Sequence, residues 1–399
     1  MGQPACGPFT AYGDSMTDLY NLSPALRLML TGLVVALGPL SWVWLRNRKA
    51  PLAQRLRVLT LLTLFLTFDL VVFGAFTRLT DSGLGCPDWP GCYGHASPVG
   101  AQLHIEAAQT AMPSGPVTHP KAWIEMIHRY LATGVGVMIL TLAATSWLYR
   151  KRVQISPWWP TVTLIWICMQ GAFGALTVTM KLFPAIVTMH LLGGMVLLAL
   201  LKVQAVRYAQ AQVGQNAQLV VTLPGRLRQL VLVTFGLLWL QIALGGWVST
   251  NYAVLACTQF PECQNSMWPP MDFSQGFTIW RELGAGPNGD NISFAALTAI
   301  HYVHRLSAYV VFAAMLALTV KLYRVPALRR QGQWLGGLAL LQLATGLGNV
   351  LLGWPLVAAV SHTGGAAALV VVLTGVVFCT RSELDTVRQS KLSTSRLTA

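Results

Sequence analysis

Glu125-Met126-Ile127-His128-Arg129 is echoed by His301-Tyr302-Val303-His304-Arg305, and this echo sets the register of the chain. Each stretch opens a strongly apolar segment. Further along, Gln170 stands before His190 at the same spacing as Gln342 before His362, with Gly174 falling on Gly346. Upstream, Cys86-Pro-Asp-Trp-Pro-Gly-Cys92 aligns without gaps on Cys257-Thr-Gln-Phe-Pro-Glu-Cys263, and Gly74 falls on Gly245. His190-Leu-Leu-Gly-Gly matches His362-Thr-Gly-Gly with one residue fewer. The pattern reads as an internal duplication. The echo fails at Glu125 against His301, and that is where chemistry is expected.

The 399 residues are 54% hydrophobic and only 10% charged, the profile of a polytopic membrane protein. The net charge of +14 does not point to nucleic acid, because the basic residues sit in short loops between apolar runs. Nine stretches are long enough to cross a bilayer as helices: roughly 25–45, 57–77, 123–148, 159–180, 185–207, 228–250, 296–321, 333–353 and 355–380. Basic residues cluster after alternate spans: Arg46, Arg48, Lys49, Arg55 and Arg57, then Arg150, Lys151 and Arg152, then Lys202, Arg207, Arg226 and Arg228. Lys321, Arg324, Arg329 and Arg330 follow, then Arg381, Arg388, Lys391 and Arg396. This face is read as cytoplasmic. The N-terminus and the two long loops, about 78–122 and 251–295, are then outside, in the periplasm of a bacterium or the intermembrane space of a mitochondrion.

The fold class expected is an all-α polytopic membrane protein with two four-helix bundles of parallel topology, related by a pseudo-twofold duplication, plus one extra N-terminal transmembrane helix. The divisions expected are a periplasmic segment 1–24, the extra helix with its loop 25–56, bundles 57–227 and 228–380, and a cytoplasmic tail 381–399. Met1 to Ser23 lacks a basic stretch leading into an apolar one and does not read as a cleaved signal; Met16 is an alternative start.

His128, His190, His304 and His362 each open a span from the outer side, so all four share one depth. A single membrane histidine is often a helix–helix hydrogen-bonding residue. Four at repeat-equivalent places point instead to iron held in a porphyrin, one imidazole on each face of the ring. Zinc is disfavoured, because it wants three or four ligands in close clusters. Gly134, Gly136, Gly193, Gly194, Gly364 and Gly365 follow the histidines; they admit either a flat ring or close helix packing. Arg129 and Arg305 are candidates for propionate contacts or interfacial anchors.

Each cysteine pair lies in a loop of an oxidising compartment and reads first as a structural disulfide, with a thiol–disulfide couple as the alternative. Glu125 lies one turn before His128 on the same helix face, where a buried carboxylate serves as acid or base, or merely favours the helix N-terminus. Asp69 is an unusual intramembrane acid without an assigned role. His95, His104 and His119 are read as solvated loop residues.

Taken together, Thr77-Arg-Leu-Thr-Asp-Ser-Gly-Leu-Gly-Cys86 with its cysteine loop, Glu125-x-x-His128-Arg129, His190, His304-Arg305 and His362 resemble the haem A synthase family, CtaA/Cox15, over about residues 57–380. The resemblance implies oxidation of the C8 methyl of haem O to a formyl group, giving haem A for cytochrome oxidase. It implies oxygen from water after stepwise electron removal, haem b held by His304 and His362, haem O bound as substrate through His128 and His190, and a catalytic Glu125. It further implies disulfides Cys86–Cys92 and Cys257–Cys263, with a redox role considered for the first. Expected partners are haem O, the lipid bilayer, haem O synthase, and an electron acceptor that is a quinone or redox protein; no nucleic acid is expected, and a homo-oligomer is compatible. The expected location is the cell inner membrane, with the C-terminus cytoplasmic and the haem sites near the periplasmic side. Two other classes stay open: a dihaem b-type cytochrome that oxidises quinol without chemistry on the haem, and a thiol-oxidising membrane protein.

Overall fold

The computed structural model describes residues 23–152, 155–212, 220–286 and 289–382. The expected segment 1–22 and the tail beyond 382 lie outside the described residues. The helices are α1 (Ser23–Arg46), α2 (Leu52–Leu79), α3 (Gln102–Ala111), α4 (His119–Leu148), α5 (Trp158–Thr179), α6 (Pro184–Gln212), α7 (Gly225–Thr250), α8 (Phe273–Gly276), α9 (Phe294–Tyr323), α10 (Arg329–Leu351) and α11 (Leu356–Cys379). Among the described residues, nine helices are long and apolar enough to cross a membrane: all of these except α3 and α8. Large apolar side chains such as Leu33, Leu240, Leu316 and Leu340 stand exposed along them, which suits lipid and not water.

Local chemistry fixes where the two histidine-bearing helices start. Thr118 caps α4 by accepting from the Lys121 amide, and Ser293 caps α9 by accepting from the Ala296 amide. Both helices therefore begin earlier than apolar content alone predicts, α4 at His119 instead of about 123. His119 is thus a helix residue, with its ring 3.7 Å from Glu106. His104 lies on α3 and stacks on Tyr93, so neither is the plain loop residue expected.

In the first part of the chain α2 contacts α4 and α6, and α5 bridges α4 and α6. In the second, α7 contacts α9 and α11, and α10 bridges α9 and α11. The two sets meet where α6 packs on α7 and where α11 packs on α2 and α6. A buried seam of Met195, Leu198, Leu201, Leu238, Met315, Leu318, Leu373 and Val376 fills that junction. At one end Arg78, on α2, donates to the Ser249 carbonyl of α7 at 2.7 Å and stacks on Tyr252, whose hydroxyl donates to Asp81. Burial raises the Tyr252 phenol above its ordinary range, keeping it a donor. This contact puts both long loops at the same end of the molecule. At the opposite end, β1 (Val221–Leu223) pairs in parallel with β2 (Thr380–Ser382), Val221 opposite Thr380.

The N-terminal α1 packs on α4 through a stripe of Leu28, Gly32 and Ala36. A methyl at Gly32 would lie 2.5 Å from Thr133 Cγ2 and 2.9 Å from its backbone carbon, so only hydrogen fits. Leu28 joins Cys86, Cys92, Ile105, Ala122 and Met126 in one buried cluster. Gly32→Leu is therefore expected to lift α1 from α4 at a cost of about 1–3 kcal/mol, read as a lower melting temperature of the solubilised protein. An unchanged melting temperature refutes the close docking. Asp69 lies on the exposed face of α2.

Candidate functional site

The four repeat-equivalent histidines meet four glycines on neighbouring helices. A methyl at Gly74 would lie 3.0 Å from Cε1 of His128, and one at Gly174 would lie 3.5 Å from Cε1 of His190. One at Gly245 would lie 2.9 Å from Cε1 of His304, and one at Gly346 would lie 3.3 Å from Cε1 of His362. Each imidazole thus rests against a bare backbone on the helix before its own. His128 and His190 stand on α4 and α6, which both pack on α2 and α5; His304 and His362 stand on α9 and α11, which both pack on α7 and α10. The four histidines thus occupy matching places in the two sets of helices.

The glycines that follow the histidines serve helix packing. Gly134 faces Val35 of α1, Gly194 faces Val71, and Gly364 faces Val72. Gly193 and Gly365 lie against Gln170 and Gln342. Gly136 has open space beside it, and the bare backbones that touch the imidazoles belong to Gly74, Gly174, Gly245 and Gly346.

Glu125 is buried, 4% exposed, and its carboxylate is fully engaged. One oxygen accepts from the Cys86 amide at 2.8 Å; the other pairs with Arg129. Arg129 also donates to the carbonyls of Asp88 at 2.9 Å, Pro90 at 3.2 Å and Gly91 at 2.5 Å. Its guanidinium is therefore committed to the carboxylate and the cysteine loop. Arg305 donates to the Pro261 and Glu262 carbonyls at 3.0 and 3.3 Å, while its buried Nη1 has no partner. Of the two arginines, only Arg305 keeps a buried donor free for a further anion.

Both disulfides form, Cys86–Cys92 with Cα atoms 4.9 Å apart and Cys257–Cys263 with 4.8 Å. A reverse turn follows each, closed by Cys92 with His95 and by Cys263 with Ser266. Asp88 accepts from the amides of Tyr93 and Gly94 in the first loop; Gln259, at the matching place, accepts from the Asn265 amide at 2.8 Å. The first loop thus closes over Glu125.

Three polar side chains on apolar helices escaped the sequence reading. Thr345 Oγ1 lies 2.9 Å from His362 Nδ1, Gln241 Nε2 lies 3.1 Å from His304 Nδ1, and Ser307 donates to Gln241. A signal existed, because each breaks an apolar run at a fixed offset from a register residue.

The family described as cytochrome oxidase assembly protein, COX15-CtaA, matches residues 57–374. The chain belongs to this family. Within it, a heme A synthase of Shewanella oneidensis is 37% identical over 313 residues, 78% of this chain and 92% of the relative. Heme A synthases of a Methylobacterium species and of Caulobacter vibrioides are 29% and 25% identical over 356 and 331 residues. These two alignments cover 82% and 77% of this chain, and 92% and 91% of the relatives. The family match begins after α1.

Proposed function

We propose that this chain is a haem A synthase, an oxidoreductase that converts the C8 methyl of haem O to a formyl group. The two rings of contacting helices are read as duplicated four-helix bundles, 57–227 and 228–380, with the segments 1–56 and 381–399 outside them. The first bundle takes haem O as substrate between His128 and His190. The second holds haem b between His304 and His362. The observation that carries this reading is the set of four half-buried imidazoles, each against a bare glycine backbone. Two of them, His128 and His190, have a buried Nδ1 without a protein partner. Paired imidazoles of this kind suit a bis-ligated porphyrin iron.

The balance of the reaction is a methyl group and one water giving a formyl group, four protons and four electrons. When bound, haem b supplies one-electron transfer toward an acceptor of the quinone or redox-protein class. The chain's own residues do the rest. Glu125, one turn from His128, accepts protons, and Arg129 holds its carboxylate in place under the Cys86–Cys92 loop. The second half has His301 there, so only the first half carries an acid at this place. Arg305 Nη1 is the candidate partner for a haem propionate. The likeness to heme A synthases over most of the chain supports the activity, and the nine apolar helices support a multi-pass inner-membrane location with the cysteine loops outside.

The test is expression with a haem O supply, followed by pigment extraction and chromatography of wild type and of each His→Ala variant. Haem A should appear with wild type and fail with all four variants, and His304→Ala or His362→Ala should lose haem b. Haem b alone, with haem O never converted, sinks the reading in favour of an electron-carrying dihaem cytochrome.

A further inference from the structure

The two histidine pairs are fastened differently. In the second half, Thr345 Oγ1 donates to the Leu341 carbonyl at 2.7 Å, so its lone pair faces His362 Nδ1 at 2.9 Å and accepts from it. That leaves Nε2 as the basic nitrogen. Gln342 Nε2 also donates to the His362 carbonyl at 2.8 Å. On the other helix, the Gln241 amide lies 3.1 Å from His304 Nδ1 and donates to the His304 carbonyl at 3.1 Å. Ser307 bridges Gln241 and the same carbonyl, the latter at 3.1 Å. Ser307 takes up the amide oxygen, so the Gln241 nitrogen faces the ring, 3.1 Å from Nδ1 and 3.5 Å from Nε2, and can only donate to it; this contact holds the ring in place without making it more basic.

Among the described residues, no side chain of the first half hydrogen-bonds either imidazole at Nδ1. His128 Nδ1 and His190 Nδ1 are buried without a hydrogen-bond partner, and Gln170 Oε1 has none either. The Phe73 ring stacks on His128 with centroids 6.2 Å apart and offers it no hydrogen bond. The register explains why. Leu70 precedes Gly74 as Gln241 precedes Gly245, Leu131 follows His128 as Ser307 follows His304, and Phe173 precedes Gly174 as Thr345 precedes Gly346. All three polar contacts of the second half are apolar side chains in the first. A hydrogen bond on the outer nitrogen of a ligating imidazole fixes its orientation and raises its basicity, and losing one weakens metal binding by about 10–100-fold. An imidazole without that bond can turn away from a ligand at little cost.

We infer that Gln241, Ser307 and Thr345 are positioning residues that make the second site a retaining one, while Leu70, Leu131 and Phe173 make the first a releasing one. The first half must take in haem O and let haem A go at every turnover, whereas the second must keep its haem b. The inference rests on the proposed assignment of the two halves.

The test uses the full-length protein carrying haem, with two readouts: the midpoint potential of haem b, and the rate of haem transfer to excess apomyoglobin. Thr345→Val should raise the potential, because a less basic imidazole favours ferric iron less, while Gln241→Leu loosens the hold on the His304 ring. Both should also speed transfer of haem b by about tenfold or more. Thr345→Ser should restore both values. Leu70→Gln combined with Phe173→Thr, which leaves the second half untouched, should slow transfer of the first-half haem by a similar factor. Haem b bound in Thr345→Val and Gln241→Leu at wild-type potential and wild-type transfer rate overturns the inference and leaves the function standing. So does unchanged transfer in the Leu70/Phe173 variant. Wild type that never carries haem overturns the function, and this inference with it.

Discussion

Glu125→Gln should lower haem A formation by about two to four orders of magnitude, the usual contribution of a positioned proton acceptor, while the protein accumulates normally. Glutamine keeps the shape and one oxygen, enough to accept from either the Cys86 amide, 2.8 Å from the carboxylate, or Arg129, which sit on different carboxylate oxygens. It cannot take up a proton from the reacting methyl carbon. Glu125→Ala is the harsher change, since it leaves the Arg129 charge buried without its partner. The pair of variants separates chemistry from architecture: a catalytic carboxylate gives equal loss of product in both, at unequal protein yield. Full haem A yield from Glu125→Gln at normal protein level removes Glu125 from the reaction.

Arg129→Ala should be the most damaging single change to the first cysteine loop. The side chain is 8% exposed and gathers the Glu125 carboxylate with the carbonyls of Asp88, Pro90 and Gly91. Its removal strands a buried negative charge and three acceptors, a loss of about 3–5 kcal/mol for breaking such a pair. Arg129→Lys recovers only part, because an ammonium cannot reproduce the planar fork. Arg305→Ala offers the control. It loses donors to two carbonyls and no carboxylate, and should cost about 1–3 kcal/mol. Limited proteolysis of loop 78–122 against loop 251–295 in the two variants reads the difference; equal sensitivity contradicts it.

Much of this molecule is written in local signals. Span length needs only a run of apolar residues, so the stretches expected at 57–77 and 228–250 are helices Leu52–Leu79 and Gly225–Thr250. The disulfides needed only paired cysteines in a shared compartment. Arg129 reads from sequence as a propionate contact or an interfacial anchor, because the carbonyls it binds lie about forty residues earlier in the chain and nothing near Arg129 announces them. The short α3 was too brief and too polar to separate from its loop. The β1–β2 pairing joins segments from opposite ends of the second half and leaves no periodic trace in three-residue strands. Thr345, Gln241 and Ser307 are legible only by subtraction of one half from the other, because they stand where the two halves differ and not where they agree.

The β1–β2 pairing has one more consequence. Val221–Leu223 enters the second half and Thr380–Ser382 leaves it, and the two run side by side. Between them stand four candidate spans, an even number, which returns the chain to the face it left. A unit whose entrance and exit share a doorway can be copied and appended to itself without turning either copy upside down.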